Sequence, residues 1–208
     1  MLALFTSALV SFLVIIDPPG CAPIFASLTA GTSAEHRRKM AIRSSLIALG
    51  ILLFFALLGR PLLRTLGITL ASFRLAGGIM LFIIALEMVF ERRTAKREER
   101  AHAVEAEGAE DISVFPMAIP MIAGPGSIAT AMLLTARAEG LTETAIVLAA
   151  MALVILLTML ALLAAGPIMR FIGAKLEAMI TRLLGVILAA LAAQFVIDGV
   201  RQSFPGLT

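Results

Sequence analysis

The sequence contains no tryptophan, no tyrosine, one cysteine and two histidines among 208 residues, and only 15% of its residues are charged. Each shortage excludes something. A single cysteine, Cys21, rules out an intramolecular disulfide and a cysteine-cluster metal site. His36 and His102 stand far apart in charged connections and suggest no metal pair. Without Trp or Tyr the usual interfacial belt of a membrane protein falls to Phe, Arg and Lys, and Arg outnumbers Lys fourteen to three. No nucleophile–base constellation or phosphate-cradling loop is present, so neither a cofactor nor an enzymatic activity is expected. The shortage of charge matters most. A soluble domain is about a quarter charged, whereas this chain is 60% hydrophobic with a mean hydropathy of +1.02.

The apolar excess is gathered into runs long enough to cross a bilayer as helix. They are Leu2–Ala30, Met40–Leu58, Ile68–Phe90, Val114–Ala136, Thr144–Ala165 and Leu176–Val200. The chain therefore reads as an all-α integral membrane protein with six spans. Met1 to Leu4 lacks a basic region, so the first run is expected to be retained as a helix rather than cleaved as a signal peptide. The pI near 9.7 would suggest nucleic acid in a soluble protein, but here the basic residues flank the spans and set topology. With the N-terminus outside, eleven Lys and Arg fall in inner connections: Arg37, Arg38, Lys39, Arg43, Arg92, Arg93, Lys96, Arg97, Arg100, Arg170 and Lys175. Arg60, Arg64, Arg137 and Arg201 fall outside. This imbalance places both termini outside the cytoplasm.

The chain also repeats itself. A shift of 106 positions carries Pro19 onto Pro125 and Gly20 onto Gly126. It also aligns Thr29 with Thr135, Ala30 with Ala136, Pro61 with Pro167, Arg64 with Arg170 and Gly67 with Gly173. After a two-residue slip, Arg74-Leu75-Ala76-Gly77 matches Arg182-Leu183-Leu184-Gly185. Pro, Gly and Arg are sparse enough that such matches indicate duplication. Three spans per half force the second half to enter the membrane from the opposite side, giving a 3+3 inverted-topology repeat. Repeat one is 1–91 and repeat two is 114–201. The strongly charged stretch 92–113 between them reads as a solvated cytoplasmic linker.

Each half interrupts its first span at mid-membrane, with Asp17-Pro18-Pro19-Gly20 in the first and Ala123-Gly124-Pro125-Gly126 in the fourth. Proline lacks an N–H and pushes its predecessor out of helical conformation. The first motif should stop one half-helix and let another begin after Gly20, with Pro23 in its first turn. In the second motif Ser127 is the expected N-cap, and Pro116 and Pro120 loosen the approach. Every break leaves free carbonyls on one side and free amides on the other, with opposite partial charges. Inversion brings both pairs together, so amide ends suit a carboxylate and carbonyl ends suit an ammonium. Gly20, Cys21, Ala22, Gly124, Gly126 and Ser127 are small. With Asp17, Pro19 and Pro125 they form the expected binding site for a small zwitterion, a small amino acid. Asp17 is the one acid expected deep in the membrane, and its repeat counterpart is Ala123. It reads as an ammonium contact, a proton-coupling group or a cap on the second half-helix.

Weaker candidates surround this site. Arg74 and Arg182 read as symmetric gates or as interfacial anchors. Glu87 and Asp198 lie toward the ends of their spans. Thr29, Thr130 and Thr135 either line a path or bond their own backbone. Gly77, Gly78, Gly185, Ala189 and Ala193 suit close helix–helix packing.

These same residues resemble a known family. Ile16 to Gly20, followed by Ala22-Pro23-Ile24-Phe25 and Leu28-Thr29, is similar to the first-helix signature of the MarC/SnatA family. Phe115-Pro116, Ile119-Pro120 and Ala123 to Thr130 resemble its fourth-helix signature. Phe73 to Gly78 with Ala85 to Met88, and Arg182 to Gly185 with Asp198-Gly199, extend the likeness over essentially the whole chain. The resemblance implies a six-helix inner-membrane protein similar to proton-linked transporters of small neutral amino acids such as glycine and alanine. The expected function is a secondary transporter of that class, working by alternating access, with proton coupling left open. The alternatives are an exporter of another small metabolite and a channel-like pore for a small solute or ion. The expected partners are a small amino acid and membrane lipid, without nucleic acid; the oligomeric state is left open.

Overall fold

The helices follow the apolar runs, and their boundaries fall where proline, glycine or a capping hydroxyl ends them. The computed structural model describes residues 1–106 and 111–204, apart from the side chains of 100–102, 104–106, 168–172 and 174, and all its regular structure is helical. Helix α1 (Leu2–Ile16) is followed directly by α2 (Pro18–Leu28). Then come α3 (Ala34–Thr65), α4 (Leu70–Val89) and α5 (Arg92–Ala106). A widened π-type segment, Ser113–Ile122, leads into α6 (Pro125–Arg137), followed by α7 (Gly140–Leu163) and α8 (Ala165–Ser203). Ser33 and Thr69 cap α3 and α4, accepting from the N–H of His36 and of Ser72. Gly173, at φ 66°, divides α8 and leaves Lys175–Ser203 as its membrane-spanning part.

Among the described residues, five helical stretches are long and apolar enough to cross a bilayer. A sixth is formed if Ser113–Ile122 and Pro125–Arg137, bent by 55° to each other, count as one span. Large apolar side chains such as Phe54, Leu57, Ile83, Leu156 and Val186 face outward, as lipid requires and water forbids. The chain is thus a multi-pass membrane protein. Of the connection 92–113, residues 107–110 lie outside the described residues, as do the side chains of Arg100 and His102; so does that of Arg170 in α8.

The bundle is organised around the seam between α4 and α8. Between membrane helices, close backbone approach replaces the hydrophobic effect as the source of packing energy. Gly199 faces Ala71 and Leu75, Gly78 faces Ala192 and Val196, and Gly185 faces Met88, so the two helices run antiparallel. Around this pair, α1 and α2 pack on α7, while the π-type segment and α6 pack on α3. Also, α2 touches α8 and α6 touches α4.

Polar ties divide between the two ends of the bundle. At one end Arg43 pairs with Asp111, Lys96 with Glu87 and Arg182 with Glu91. The Ser113 hydroxyl and N–H, with Arg43 beyond them, hold the Asp111 carboxyl below the usual carboxylate range. At the other end Arg60 donates to Ala136 O, and Arg137 pairs with Asp198 while lying 4.8 Å from the Phe195 ring centroid.

The seam makes a direct prediction. A Cβ at Gly78 would lie 2.9 Å from Val196 N and 3.0 Å from Ala192 O, and backbone cannot swing aside. Gly78→Leu should lower unfolding stability in detergent by about 1–3 kcal/mol or more. Gly50→Ala, where nothing lies within 4 Å, should raise it by up to about 1 kcal/mol. Equal thermal melting of the two variants would contradict the packing described.

Candidate functional site

The first break is shorter than the sequence suggests. α1 ends at Ile16, and Asp17 alone, at φ 59° and ψ 66°, turns the chain into α2. Pro18 and Pro19 occupy the first two positions of α2, where a missing N–H is harmless to α2 itself. Pro23 therefore lies inside the helix rather than in its first turn. The prolines do their damage backward, to α1. Had the helix continued, Pro18, Pro19 and Gly20 would have supplied donors for the carbonyls of Val14, Ile15 and Ile16. Two of these have no N–H, and the third donates to Asp17 Oδ1 instead, at 3.2 Å. Asp17 is thus the N-cap of α2, and the end of α1 is left short of backbone donors beside a fully buried carboxylate, with the Cys21 thiol donating to Ile16 O at 3.5 Å.

Helix α5 answers both. Arg93 and Arg97 are four residues apart and so share one face of it. Arg93 Nη2 donates to Ile15 O at 2.8 Å. Arg97 Nη1 donates to Asp17 Oδ2 at 3.0 Å, and its Nη2 reaches Ile16 O at 3.5 Å. Arg97 is only 5% exposed. The connection expected to be a solvated linker therefore lays two guanidinium groups against the first break. The carbonyl end expected to receive an ammonium already holds protein cations. Gly20 makes the geometry possible, because a Cβ there would stand 2.2 Å from Asp17 Oδ2 and 2.9 Å from Arg97 Nη1.

The second break is built differently. Phe115 and Ile119, each preceding a proline through a cis peptide, adopt extended dihedrals and open the π-type segment. Its Ala123 N–H donates to Ala118 O at 2.9 Å, five residues back. Gly124 is the N-cap of α6 and Pro125 its first residue, with no side-chain cap, so Ser127 is not the cap but a buried residue of the first turn. The N–H groups of Gly126 and Ser127 lie in that first turn, where no intrahelical partner exists.

Between the two breaks lies a cavity of about 230 Å³. Its wall takes Ile15 from α1, Ile84 and Glu87 from α4, and Arg93, Lys96 and Arg97 from α5. Pro120, Met121 and Gly124 to Ser127 complete it. Gly126 packs so closely on Ile15 and Ile84 that a Cβ would sit 2.8 Å from each terminal methyl. The wall thus carries three cations, the first turn of α6 and one carboxylate, Glu87, which is paired with Lys96.

Gly124, Pro125, Gly126 and Ser127 thus line the cavity. Asp17, Pro19, Gly20, Cys21 and Ala22 do not, and Asp17 meets it only through Arg97. Glu87, read as interfacial, lies in the wall. Arg182 pairs with Glu91 and Arg74 lies toward the other end of α4, both away from the cavity. Thr29 donates to Phe25 O at 2.7 Å within its own helix, and Thr130 is buried on α6. Thr135 lies 2.9 Å from Ala56 O, tying α6 to α3. Behind Asp17, the Thr181 hydroxyl stands 3.4 Å from Asp17 Oδ1 and 3.2 Å from Glu177 Oε1. Sequence reasoning missed Arg93, Lys96, Arg97, Glu177 and Thr181. The available signal was the donor deficit of two consecutive prolines, combined with arginines four apart in the connection.

Fold and cavity define a multi-pass helical membrane protein with a small, half-open, electropositive site. The family model described as "MarC family integral membrane protein" matches residues 2–204, and the chain belongs to that family. It is 36% identical over 200 residues to a UPF0056 membrane protein of Methanocaldococcus jannaschii, covering 95% of this chain and 96% of the relative. It is 34% identical over 210 residues to UPF0056 membrane protein YvbG of Bacillus subtilis, covering 100% and 99%. It is 31% identical over 193 residues to UPF0056 membrane protein YhcE of Escherichia coli, covering 93% and 90%. No solved structure matches it.

If Arg93 serves as the donor that Pro19 lacks, Arg93→Met should lower thermal stability by about 1–3 kcal/mol, the cost of a buried carbonyl left unpaired. A variant melting with the wild type would show that Ile15 O finds another donor.

Proposed function

We propose that the protein is a secondary transporter of small neutral amino acids of the glycine and alanine class, working by alternating access around the two breaks. The observation that carries this reading is the cavity wall. The α6 amide end and the α5 guanidiniums suit a carboxylate, Glu87 suits an ammonium, and Gly126 with Ile15 and Ile84 leaves little room for a side chain. The proposal includes a 3+3 inverted repeat, with repeat one 1–91 and repeat two 114–201. Support comes from the 106-position alignment and from reciprocal packing: α1 and α2 on α7, the π-type segment and α6 on α3. It also includes an inner-membrane location with both termini outside, supported by the distribution of Lys and Arg. Proton coupling belongs to the same proposal, and the acids concerned are Asp17 and Glu177, linked through Thr181.

The excess of cations in the wall favours one second reading, a small organic anion as substrate. Thermal shift of the purified protein separates the two. Glycine or alanine at a hundredfold excess over Kd should stabilise it by about 2.7 kcal/mol, and leucine and glutamate should not. Gly126→Leu should abolish the glycine-induced increment and stereoselective counterflow in proteoliposomes; retention of both would sink this site. For coupling, Asp17→Asn or Glu177→Gln should flatten the pH dependence of uptake. A profile unchanged in both removes these acids from the mechanism.

A further inference from the structure

We infer that Arg97, carried by the connecting helix α5, is the residue that binds the substrate's carboxylate, and that Asp17 is its counter-ion when no substrate is bound. The inference rests on the amino-acid reading above and assigns the carboxylate to one residue.

Arg97 lines the cavity and Asp17 does not, so an entering solute meets the guanidinium first. The guanidinium presents its N–H donors in a planar fork, and here it spends one arm on Asp17 Oδ2 at 3.0 Å. Among the described residues the other arm makes only a long 3.5 Å contact with Ile16 O. Donors in the fork geometry that matches a carboxylate therefore remain to be used. A guanidinium this deeply buried needs an anion at all times, because removing one partner of a buried pair leaves an uncompensated charge. Asp17 fills that need when no substrate is bound.

The two partners are held unequally. Asp17 is fixed at the turn between α1 and α2, with its other oxygen capping Gly20 N at 3.2 Å. Arg97 sits at the end of a long side chain on a helix outside the membrane spans. When a second carboxylate enters the cavity, Arg97 is the group free to turn toward it. Substrate and Asp17 then compete for one cation. This reverses the expectation that Asp17 holds the substrate's ammonium, and the two assignments predict opposite signs for one variant.

The test uses the full chain in detergent, with Kd read from the dependence of melting temperature on ligand concentration. Glycine is the probe. Acetate carries only the carboxylate and methylammonium only the cation. Acetate should compete with glycine in the wild type and lose that ability in Arg97→Gln, whereas the weaker competition by methylammonium, held at Glu87, should be unchanged there. Arg97→Gln should weaken glycine binding by about tenfold or more, the loss of a charge-assisted contact. Asp17→Asn should melt lower without ligand yet bind glycine several-fold more tightly, since Arg97 no longer has a competing anion. Arg97→Lys keeps the charge without the fork and should fall between wild type and Gln, which preserves the test if Arg97→Gln does not fold. Glycine affinity in Asp17→Asn at or below wild type overturns the inference, as does an Arg97 variant binding as the wild type does. Neither result touches the transport reading. Failure of the wild type to bind glycine or alanine at all overturns both.

Discussion

The structure depends on a shortage of hydrogen-bond donors at one point. Two consecutive prolines after Asp17 deprive the end of α1 of the N–H groups that a continuing helix would have provided. In lipid no water makes good such a loss. The deficit lies beside a buried carboxylate, so one remedy serves both, and that remedy is a pair of guanidiniums. Arg93 takes the carbonyl of Ile15, and Arg97 takes the carboxylate of Asp17. The position of α5 follows from this, and with it the wall of the cavity that α5 helps to close.

The asymmetry between the two breaks gains a reason from the same arrangement. Under the proposed 106-position repeat Asp17 corresponds to Ala123, yet only the first carries a charge. With the acid comes a cation, and the first break is closed by protein. The second break has neither acid nor side-chain cap, and Gly126 and Ser127 of the first turn of α6 line the cavity. One break thus holds α5 through Arg93 and Arg97, while the other lines the cavity. A symmetric pair of charged breaks would have filled the same small volume with four ionised groups, at a desolvation cost that buried ion pairs rarely recover.

Much of this was legible in the sequence. The spans, the interruption at Asp17, the capping role of its carboxylate and the small residues of the second motif all follow from hydropathy, proline chemistry and residue size. What was not legible was any partner across a long separation. The connection 92–113 has the composition of a solvated segment, and nothing in its charge pattern separates Arg97, which is buried, from Arg92, which is exposed. Glu177 and Thr181 were likewise indistinguishable from residues at the rim of a span. Charge near a helix end usually means water. Only the orphaned carbonyls, which demand donors from somewhere, argued otherwise, and they name a need without naming the residue that meets it.

The separation between Asp17 and its cation has a consequence for how the protein is made. The two are 80 positions apart in the chain. At the usual pace of synthesis, about 5–20 residues per second, Arg97 leaves the ribosome roughly 4–16 s after Asp17. Through that interval the first span has neither its donors nor its counter-ion, and lipid supplies neither. The helix that enters first therefore meets its counter-ion only after two further spans, Ala34–Thr65 and Leu70–Val89, have been made.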